Sequence, residues 1–356
     1  MKKLQATQYL ALDVHQATVV ATLRDATGSI RMRATVPTRP KEILDLLRVA
    51  GGRVQVIFEE GAQAQWLHDL LEPHVERVVV FNPRGREIRG NKSDRIDADR
   101  LSEMLRTGSP KTSYHGSRSM LTLKELVHNY NNIVEDSTRV MLRIKALFRA
   151  RAIPTPGTSV YRPSRRQEWL ALLDQPGVRV RAESLYAELD VLQQLRPKAK
   201  AAMIAEARRQ PAWKIFREIP FFGPIRIPQM LAIMVTPYRF RTKRALWPYA
   251  GLAVVTHSSA DQEFINGQLR RRRRAPMTRG LNRNHNPRLK AIFKGAANAA
   301  AVKPGPLKDF YDACVARGVR EELAKVTLAR KLASVVLRLW KKGERWDSTK
   351  LTMQAM

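Results

Sequence analysis

Residues 8–36 read QYLALDVHQATVVATLRDATGSIRMRATV, and this stretch decides the fold of the first part of the chain. Apolar and polar residues alternate through most of it, and a turn sequence at Ala26, Thr27 and Gly28 separates two of the alternating runs. Alternation with a period of two is typical of half-buried strands. We therefore predict three short antiparallel strands.

The following residues add a helix and a second group of strands. PKEILDLLRVA (40–50) predicts a helix that ends at two glycines. RVQVIFE (53–59) and RVVVFNP (77–83) predict strands, and AQWLHDLLEP (64–73) predicts a helix between them. Because strand, helix and strand in succession indicate a parallel pair, periodicity alone predicts an α/β fold. Three meandering strands followed by this unit are the order of a ribonuclease H-like fold.

Four carboxylates in this region are candidates for a metal site. Asp13 lies in the first predicted strand, and Glu59 ends the fourth. NKSDRIDADRL (91–101) places Asp94 and Asp97 three residues apart, and such residues share one helix face. Carboxylates are ligands for Mg²⁺ and Mn²⁺, and two such ions can hold the attacking and leaving oxygens of a phosphodiester. The set predicts Mg²⁺-dependent phosphodiester chemistry, with Mn²⁺ as the alternative ion.

The same acids also have structural interpretations. Asp94 near a helix start interacts favourably with the helix dipole, with Ser93 as the N-cap. The other helix acids could form surface ion pairs, namely Asp97 and Asp99 with Arg95 and Arg100. Spacing does not distinguish Glu59 from Glu60. Asp13 is the hardest to explain in this way, because an unpaired carboxylate on a buried strand is costly.

From residue 119 the pattern changes to a heptad repeat. Its seam steps alternately by four and three residues through Leu123, Val127, Tyr130, Val134, Ser137, Met141, Ile144 and Phe148. A second seam runs from Ala182 to Leu192 until Pro197 interrupts it, and a Pro-rich connection (153–167) joins the two. The pattern predicts an antiparallel helical hairpin or an arm that pairs with another copy of the chain. An ordinary helix–helix core is the alternative.

The charge of the chain predicts a polyanionic partner. Lys and Arg number 64 against 32 acidic residues, which gives a formal net charge of +32, and a hydrophobic content of 44% indicates a globular protein. The densest basic tract contains eight arginines and one lysine with no acid: Arg270, Arg271, Arg272, Arg273, Arg274, Arg279, Arg283, Arg288 and Lys290. Five adjacent arginines need an anionic partner or a disordered setting. We predict that this tract binds nucleic acid, with Asn282, Asn284, His285 and Asn286 as further donors to the backbone.

Several classes of protein are excluded at this point. No stretch reaches the ~18 uncharged apolar residues of a membrane-spanning helix. The first residues, MKKLQATQYLALDVHQ, lack the apolar segment and cleavage site of an export signal. Cys314 is the single cysteine, so we expect neither a disulfide framework nor a Cys-based zinc site. The sequence predicts a soluble protein of a reducing compartment.

Two further motifs lie after residue 210. GLAVVTHSSADQ (251–262) places Ser258 and Ser259 after a strand-like run. A serine can attack phosphorus if its hydroxyl is activated, although serines at such a position are most often plain loop residues. IPFFGPIRIPQML (219–231) predicts a helix, a tight turn and a helix, and N–H groups at a helix start can bind a phosphate. A simple packing turn is equally compatible.

In this order, the motifs resemble the DEDD transposases of bacterial insertion sequences. That group includes the Piv-type DNA invertases and the bridge-RNA-guided serine recombinases. The motifs that carry the resemblance are ALDVHQ (11–16), NKSDRIDA (91–98), YAGLAVVTHSSA (249–260) and HNPRLK (285–290). The resemblance covers nearly the whole chain. It implies a RuvC-like ribonuclease H domain at 1–115, a helical coiled-coil arm at 116–210, a mostly helical C-terminal transposase domain at 211–346, and a tail at 347–356.

The resemblance also implies the site residues. Mg²⁺ would be bound by Asp13, Glu59, Asp94 and Asp97, and Ser259, with Ser258 as its neighbour, would be the nucleophile that becomes linked to DNA. Glu59 is preferred over Glu60, since the family's Glu is followed by one residue and then Gly. In the family the acids and the serine form a composite centre between subunits.

The implied partners are donor and target double-stranded DNA, a guide RNA, and further copies of the chain in a dimer or tetramer. The implied location is the bacterial cytoplasm, at the nucleoid. Two positions depart from the family pattern: Ala260 replaces a Gly after the serine, and Phe221 replaces the first Gly of a Pro-Gly-x-Gly turn. Two other functions are compatible with the residues, a RuvC-like structure-specific endonuclease that uses water and a non-catalytic nucleic-acid-binding protein.

Overall fold

A six-stranded mixed sheet dominates the first of two units, Met1–His115 and Gly116–Met356, into which the chain divides. The computed structural model describes residues 7–81, 94–108, 112–113, 118–257, 262–265, 268–271 and 277–352. The side chains of Ser258, Ser259 and Arg272 to Arg274 therefore lie outside the described residues. Within those residues, no helix is both long and apolar enough to cross a membrane.

The first unit contains the predicted meander and the predicted strand–helix–strand order. Its elements are β1 (Thr7–Val14), β2 (Thr18–Arg24), β3 (Ile30–Pro37), α1 (Pro40–Ala50), β4 (Arg53–Glu59), α2 (Ala64–Leu71), β5 (Arg77–Phe81), α3 (Asp94–Arg106) and β6 (Thr112–Ser113). The strand order is β3-β2-β1-β4-β5-β6; β4 runs parallel to β1 and β5, and the other neighbours are antiparallel. This mixed α/β sheet, followed by a mostly helical remainder, is consistent with a RuvC-like domain joined to a helical one.

Strand β1 is apolar at successive positions because helices cover both faces of the sheet at this point. Leu10 and Leu12 pack in the core that contains residues of α1 and α2. Ala11 packs in a second core with residues of α3, including Leu101. Since side chains alternate across a strand, Asp13 projects from the same face as Ala11, toward α3.

The heptad seam lies inside an antiparallel helical hairpin in the second unit. Its helices are α4 (Arg118–Arg149) and α6 (Pro176–Arg208), and a short helix, α5 (Arg166–Ala171), lies in the connection. Near one end, Ile144 of α4 shares a core with Leu185 of α6; near the other, Leu123 shares a core with Met203. The seam residues are therefore buried within the chain itself.

Pro197 interrupts the second seam without ending the helix. It lies inside α6, which continues to Arg208. A proline removes the hydrogen bond to the carbonyl four residues earlier, here that of Gln193. Residues 193–198 are all exposed, so water can satisfy that carbonyl and the cost of the proline stays low.

Further elements follow in the chain, and the helices among them build one large core. They are α7 (Ala212–Glu218), α8 (Arg226–Met234), α9 (Lys243–Tyr249), β7 (Val254–His257), β8 (Gln262–Ile265), β9 (Gln268–Arg271), β10 (Met277–Leu281), α10 (Pro287–Val302), α11 (Pro306–Ala316), α12 (Glu321–Lys342) and α13 (Thr349–Thr352). Strand β7 pairs with β10, and β8 pairs with β9, both antiparallel. The sequence analysis did not predict strands in the basic tract. Asn266-Gly267 between β8 and β9 is a dipeptide typical of a two-residue hairpin and could have revealed them.

Candidate metal centre

Three side chains of the first unit meet at the end of strand β1. The Nε2 atom of His15 lies 3.2 Å from Oδ2 of Asp13 and 3.3 Å from Oδ2 of Asp94. One ligand atom from each of the three residues lies within 4.8 Å of the others, and no other such group of three occurs among the described residues. Asp13 is mostly buried, with 16% of its side chain exposed, whereas Asp94 is 60% exposed. The group is therefore a partly open polar site.

Helix α3 brings Asp94 to this position. Its apolar face packs on the sheet, where Leu101 and Leu105 share a core with Ala11 of β1. Asp94 is the first residue of α3, so the negative charge lies at the positive end of the helix dipole. The packing of the helix thus joins two acids that are separated by most of the first unit in sequence.

Polar contacts fix the rotation of α3 on the sheet. Thr22 of β2, fully buried, donates through Oγ1 to Oδ1 of Asp99 at 2.8 Å. Arg33 of β3 donates to both oxygens of Asp99, at 3.0 Å from Nε and 2.6 Å from Nη2. The Arg33 guanidinium accordingly lowers the pKa of Asp99. The structural alternative that paired Asp99 with the neighbouring Arg95 or Arg100 is therefore wrong, because Asp99 turns toward the sheet.

The electrostatics of the group favour a bound cation. Burial raises the pKa of Asp13, the His15 imidazole lowers it, and Asp94 and Asp97 raise it further through like-charge repulsion. Asp97 lies outside the set of three, although its charge is near enough to act on Asp13. A divalent ion would relieve the repulsion among these acids.

The donors present fit a divalent metal ion. Carboxylate oxygens suit Mg²⁺, and an imidazole nitrogen also suits Mn²⁺ and other first-row ions. Asp13 and Asp94 with His15 would hold such an ion, which when bound supplies Lewis-acid activation of a phosphodiester. The sequence analysis missed His15. Its position two residues after Asp13, in ALDVHQ, was an available signal, since alternate residues of an extended segment share a face.

Glu59 lies beside this group by strand register. Leu12 of β1 is paired with Phe58 of β4 in the parallel ladder, so Asp13 and Glu59 follow one residue later on neighbouring strands. Ile57, two residues before Glu59, shares the core that contains Ala11, which places Glu59 on the α3 face with Asp13. Glu59 also lines a pocket of about 350 Å³ with Phe58 and Leu67, and the lining of that pocket does not include Asp13, His15 or Asp94. Glu60, the next residue, is exposed and follows the end of the strand.

The basic tract is divided between several structural settings. Arg270, in β9, and Arg283 are exposed, while Lys290 is half-buried in α10. Arg288 donates to Oε1 of Glu135 at 2.8 Å, so part of its charge is compensated within the chain. Arg271 lies in β9 and Arg279 lies in β10, and their side chains are outside the described part of the chain.

Two asparagines of the tract serve the fold. Asn286 is the N-cap of α10 and accepts from the backbone N–H of Leu289 at 2.9 Å. Asn282 donates through Nδ2 to the carbonyl oxygens of Pro248 and Asn284, at 3.1 and 2.7 Å. The amide N–H groups of Asn282 are thus used within the chain, whereas the cap uses only Oδ1 of Asn286, so donation by its Nδ2 to a nucleic-acid backbone stays a prediction. Sequence neighbours do not reveal the role of Asn282, since Pro248 is distant along the chain, whereas Asn286 followed by Pro287 is a local signal for a helix start.

In the turn between α7 and α8, a phenylalanine adopts a backbone conformation that is usual for glycine. Phe221 has a φ of 69°, in the left-handed region that an L-residue adopts only at a cost. The carbonyl oxygen of Phe221 accepts from Nη1 of Arg226 at 2.8 Å. The adjacent Phe222 packs edge-on against Phe293 of α10, with ring centroids 6.1 Å apart. Phe221 therefore has a positive φ at the position where the family's turn has its first Gly, and the contacts of Arg226 and Phe222 stabilise that turn.

The comparisons with known proteins agree with this arrangement. Residues 10–151 match the family model of the IS110-type DEDD transposase domain, and residues 213–279 match a model described as transposase of the IS116/IS110/IS902 family. The chain is therefore similar to IS110-type transposases over two separate segments. The first match contains the acids and His15, and the second contains the turn at Phe221 and the two serines. No curated protein matches the chain.

These matches give the coarse function of the chain. Transposase domains support an enzyme that cleaves and transfers DNA, and DEDD domains usually depend on a divalent metal. The first match runs past His115 and includes α4, so the family's DEDD domain extends from the sheet into the helical hairpin.

Proposed function

We propose that this protein is a divalent-metal-dependent DNA transposase that exchanges strands through a covalent serine–DNA intermediate. Asp13, Glu59, Asp94 and Asp97 are the proposed metal ligands, with Mg²⁺ as the ion. Ser259 is the proposed nucleophile. The observation that carries the proposal is the meeting of Asp13, Asp94 and His15 at the edge of the sheet, inside a segment that matches a DEDD transposase domain.

The proposed chemistry keeps the number of phosphoester bonds constant. The Oγ atom of Ser259 attacks phosphorus and forms a Ser–O–P bond, while the bond to the 3′ oxygen breaks and that oxygen takes up a proton. In the joining step a 3′-hydroxyl attacks the phosphoserine, a new phosphodiester forms, and Ser259 regains its proton. Since each step makes one phosphoester bond and breaks one, no external energy source is required.

The chain's own acids have two roles in this scheme. Asp13, which is mostly buried on a central strand, orients the centre, since a rigid strand fixes the position of its carboxylate. Asp94, which is exposed at the start of α3, lies on the side open to DNA. His15 contacts both carboxylates and would hold their relative orientation.

The wider proposal includes the partners. Donor and target double-stranded DNA are the substrates, and a guide RNA encoded by the element selects them. The acids of one subunit and the serine of another would form the composite centre of a dimer or tetramer. The exposed arginines at 270 and 283 would contact phosphates.

Strand exchange in vitro tests the catalytic assignment. The substrate is a supercoiled plasmid that carries the gene with its flanking DNA, and excision junctions are measured with the full-length protein, the element's RNA and Mg²⁺. Asp13→Asn and Ser259→Ala should each abolish junction formation, while binding of labelled DNA stays near the wild-type level. Ser258→Ala is the matched control and should retain exchange. Glu59→Gln should lose exchange where Glu60→Gln keeps it.

Trapping of the covalent intermediate separates the competing functions. Denaturation during the reaction should leave wild-type protein bound to DNA, and Ser259→Ala should abolish the adduct. If nicked DNA accumulates without an adduct, the protein is a hydrolytic nuclease. If no divalent ion supports cleavage of any supercoiled or branched substrate, the protein is a non-catalytic nucleic-acid-binding protein. If Ser259→Ala exchanges strands at the normal rate, the serine assignment is wrong.

A further inference from the structure

A pocket of about 280 Å³ lies in the second unit between the start of α9, the C-terminal half of α12 and the segment 345–351. We call it the basic pocket. Seven Lys or Arg side chains line it, against one carboxylate, that of Asp347. Its inner surface is apolar, with Val335, Leu337 and Leu351, and Trp346 forms part of the wall. The pocket thus combines an apolar surface with a cationic rim.

The cations of the basic pocket are crowded and only partly compensated. Lys331 is half-buried, and burial together with the nearby Lys243 and Arg338 lowers its pKa. Three of the lining cations have a carboxylate partner: Arg338 lies 3.4 Å from Glu344, Arg345 lies 3.7 Å from Glu218, and Lys350 lies 3.8 Å from Asp347. Since the cations outnumber these carboxylates, like-charge repulsion remains, and a bound anion would relieve it.

Three contacts fix the positions of the elements and side chains around the pocket. Trp247 of α9 donates through Nε1 to the carbonyl oxygen of Arg330 at 3.2 Å, which fixes α9 against α12. Lys341 donates through Nζ to the carbonyl oxygen of Arg241 at 3.0 Å. The ammonium group of Lys243 lies 5.8 Å from the centre of the Trp247 ring. The cations are therefore positioned before any ligand arrives, which lowers the entropic cost of binding.

We propose that the basic pocket binds one nucleotide of a single-stranded nucleic-acid segment. Its phosphate would lie among Lys243, Lys331 and Arg338, and its base would lie on the apolar surface beside Trp346. Proteins bind single strands in this way, with cations along the backbone and aromatic side chains against the bases. A volume of about 280 Å³ lies at the lower limit for ligand pockets, so the pocket would hold at most one nucleotide unit.

The proposal rests on the proposed function only in taking the polyanion to be nucleic acid. Most of the lining lies after residue 279, outside both segments that match transposase models. The phosphodiester is common to RNA and DNA, and both are present where strands are cleaved and exchanged. The experiment therefore compares the two sugars directly.

Binding of short labelled oligonucleotides tests the pocket. Fluorescence anisotropy is measured on the full-length chain with a single-stranded RNA, a single-stranded DNA of the same sequence and the corresponding duplex, over a range of salt. The pocket variant is Lys331→Met with Lys243→Gln. The matched control is Lys198→Gln with Arg208→Gln, which removes two exposed cations from α6 in the same unit.

The pocket variant should weaken single-strand binding by at least about fivefold and reduce the slope of log K against log salt by about 1. Its effect on duplex binding should not exceed that of the control. The larger loss, with RNA or with DNA, identifies the strand that the pocket binds. An equal loss for all three ligands, or an equal loss in the control, would show a general charge effect and overturn the proposal.

Two further measurements keep the outcome clear. Lys331→Met removes a charge that burial disfavours, so the urea midpoint should be unchanged or higher than that of the wild type. If the midpoint falls, Lys243→Gln alone, at an exposed lining residue, replaces the variant, and unchanged single-strand binding then refutes the pocket. A wild-type chain that binds single strands through the pocket without exchanging DNA would sink the proposed function and leave the pocket intact.

Discussion

Gly251→Ala should destabilise the second unit more than any ordinary glycine substitution. Gly251 has a φ of 63°, and a Cβ atom built on it would lie 2.5 Å from Cδ2 and 2.6 Å from Cγ of the His285 ring. The contact joins the end of α9 to the residue that precedes the N-cap of α10. A backbone hydrogen bond of 2.8 Å from Asn286 to Tyr249 holds the same two segments together.

The magnitude follows from two separable costs. A residue with a Cβ in the left-handed region costs about 1–2 kcal/mol, and Ala returns about 0.4–1 kcal/mol by restricting the unfolded chain. Forcing an atom into the His285 ring adds about 1–3 kcal/mol, as in other overpacked sites. We therefore expect Gly251→Ala to cost about 2–4 kcal/mol in the free energy of unfolding.

A matched control isolates the steric part. Gly343, after α12, has a φ of 65° and nothing within 4 Å of a built Cβ, so Gly343→Ala should cost about 1 kcal/mol. Urea unfolding followed by far-UV circular dichroism measures both variants. In the double variant Gly251→Ala with His285→Ala, the cost added by Gly251→Ala should fall to that of Gly343→Ala. Equal shifts for Gly251→Ala and Gly343→Ala would refute the close approach of the His285 ring.

Three further predictions concern side chains that the structure pairs or strains. Asp99→Asn should lower the free energy of unfolding by about 1–2 kcal/mol near neutral pH, because the hydrogen bonds from Arg33 are charge-assisted but partly exposed. Since the pKa of Asp99 is lowered in the fold, this stability difference should be full above about pH 4 and should vanish as the pH falls further. Urea midpoints of both proteins across that pH range would show it. Burial raises the pKa of Tyr186 to about 12, and its hydroxyl donates to the carbonyl oxygen of Val160 at 3.0 Å. Its stabilisation is therefore full below about pH 10 and is lost as the pH rises toward 12, so the ultraviolet titration of wild type minus Tyr186→Phe should show one late-ionising tyrosine, and a midpoint near 10 would contradict it. Phe221→Gly should be more stable than Phe221→Ala by about 1 kcal/mol, the reverse of the usual order, since both lose the ring but only Ala keeps the positive φ; thermal unfolding of the two would decide.

Local periodicity predicted much of the architecture. The strands of residues 8–36, the parallel pair that follows and the heptad seam each repeat with the period of their own secondary structure. Each pattern involves residues that are near in sequence, so it can be recognised without knowledge of the rest of the chain. Asp13 was a candidate for the same reason, because a carboxylate inside an apolar strand conflicts with its surroundings.

Sequence patterns did not predict the structure where a residue's partner lies far along the chain. They also failed where exposure to solvent decides the energetic cost of a residue in a helix. Pro197 disturbs the seam but does not end α6, because the helix is exposed to water around it. Asn282 appeared suited to phosphate from its place in a basic tract, yet its amide closes a loop. Phe221 occupies a glycine-like conformation, and the adjacent Phe222 packs on α10.

The sequence by itself determined the excess of positive charge, the order of the elements and the acids that could hold a metal. Only the tertiary structure decided which side chains meet: it joined His15 to both Asp13 and Asp94, turned Asp99 toward Arg33, and gathered cations from α9 and α12 around one pocket. The physical reason is that secondary structure follows from interactions between near neighbours, whereas a site requires the packing of apolar faces that lie far apart in the chain.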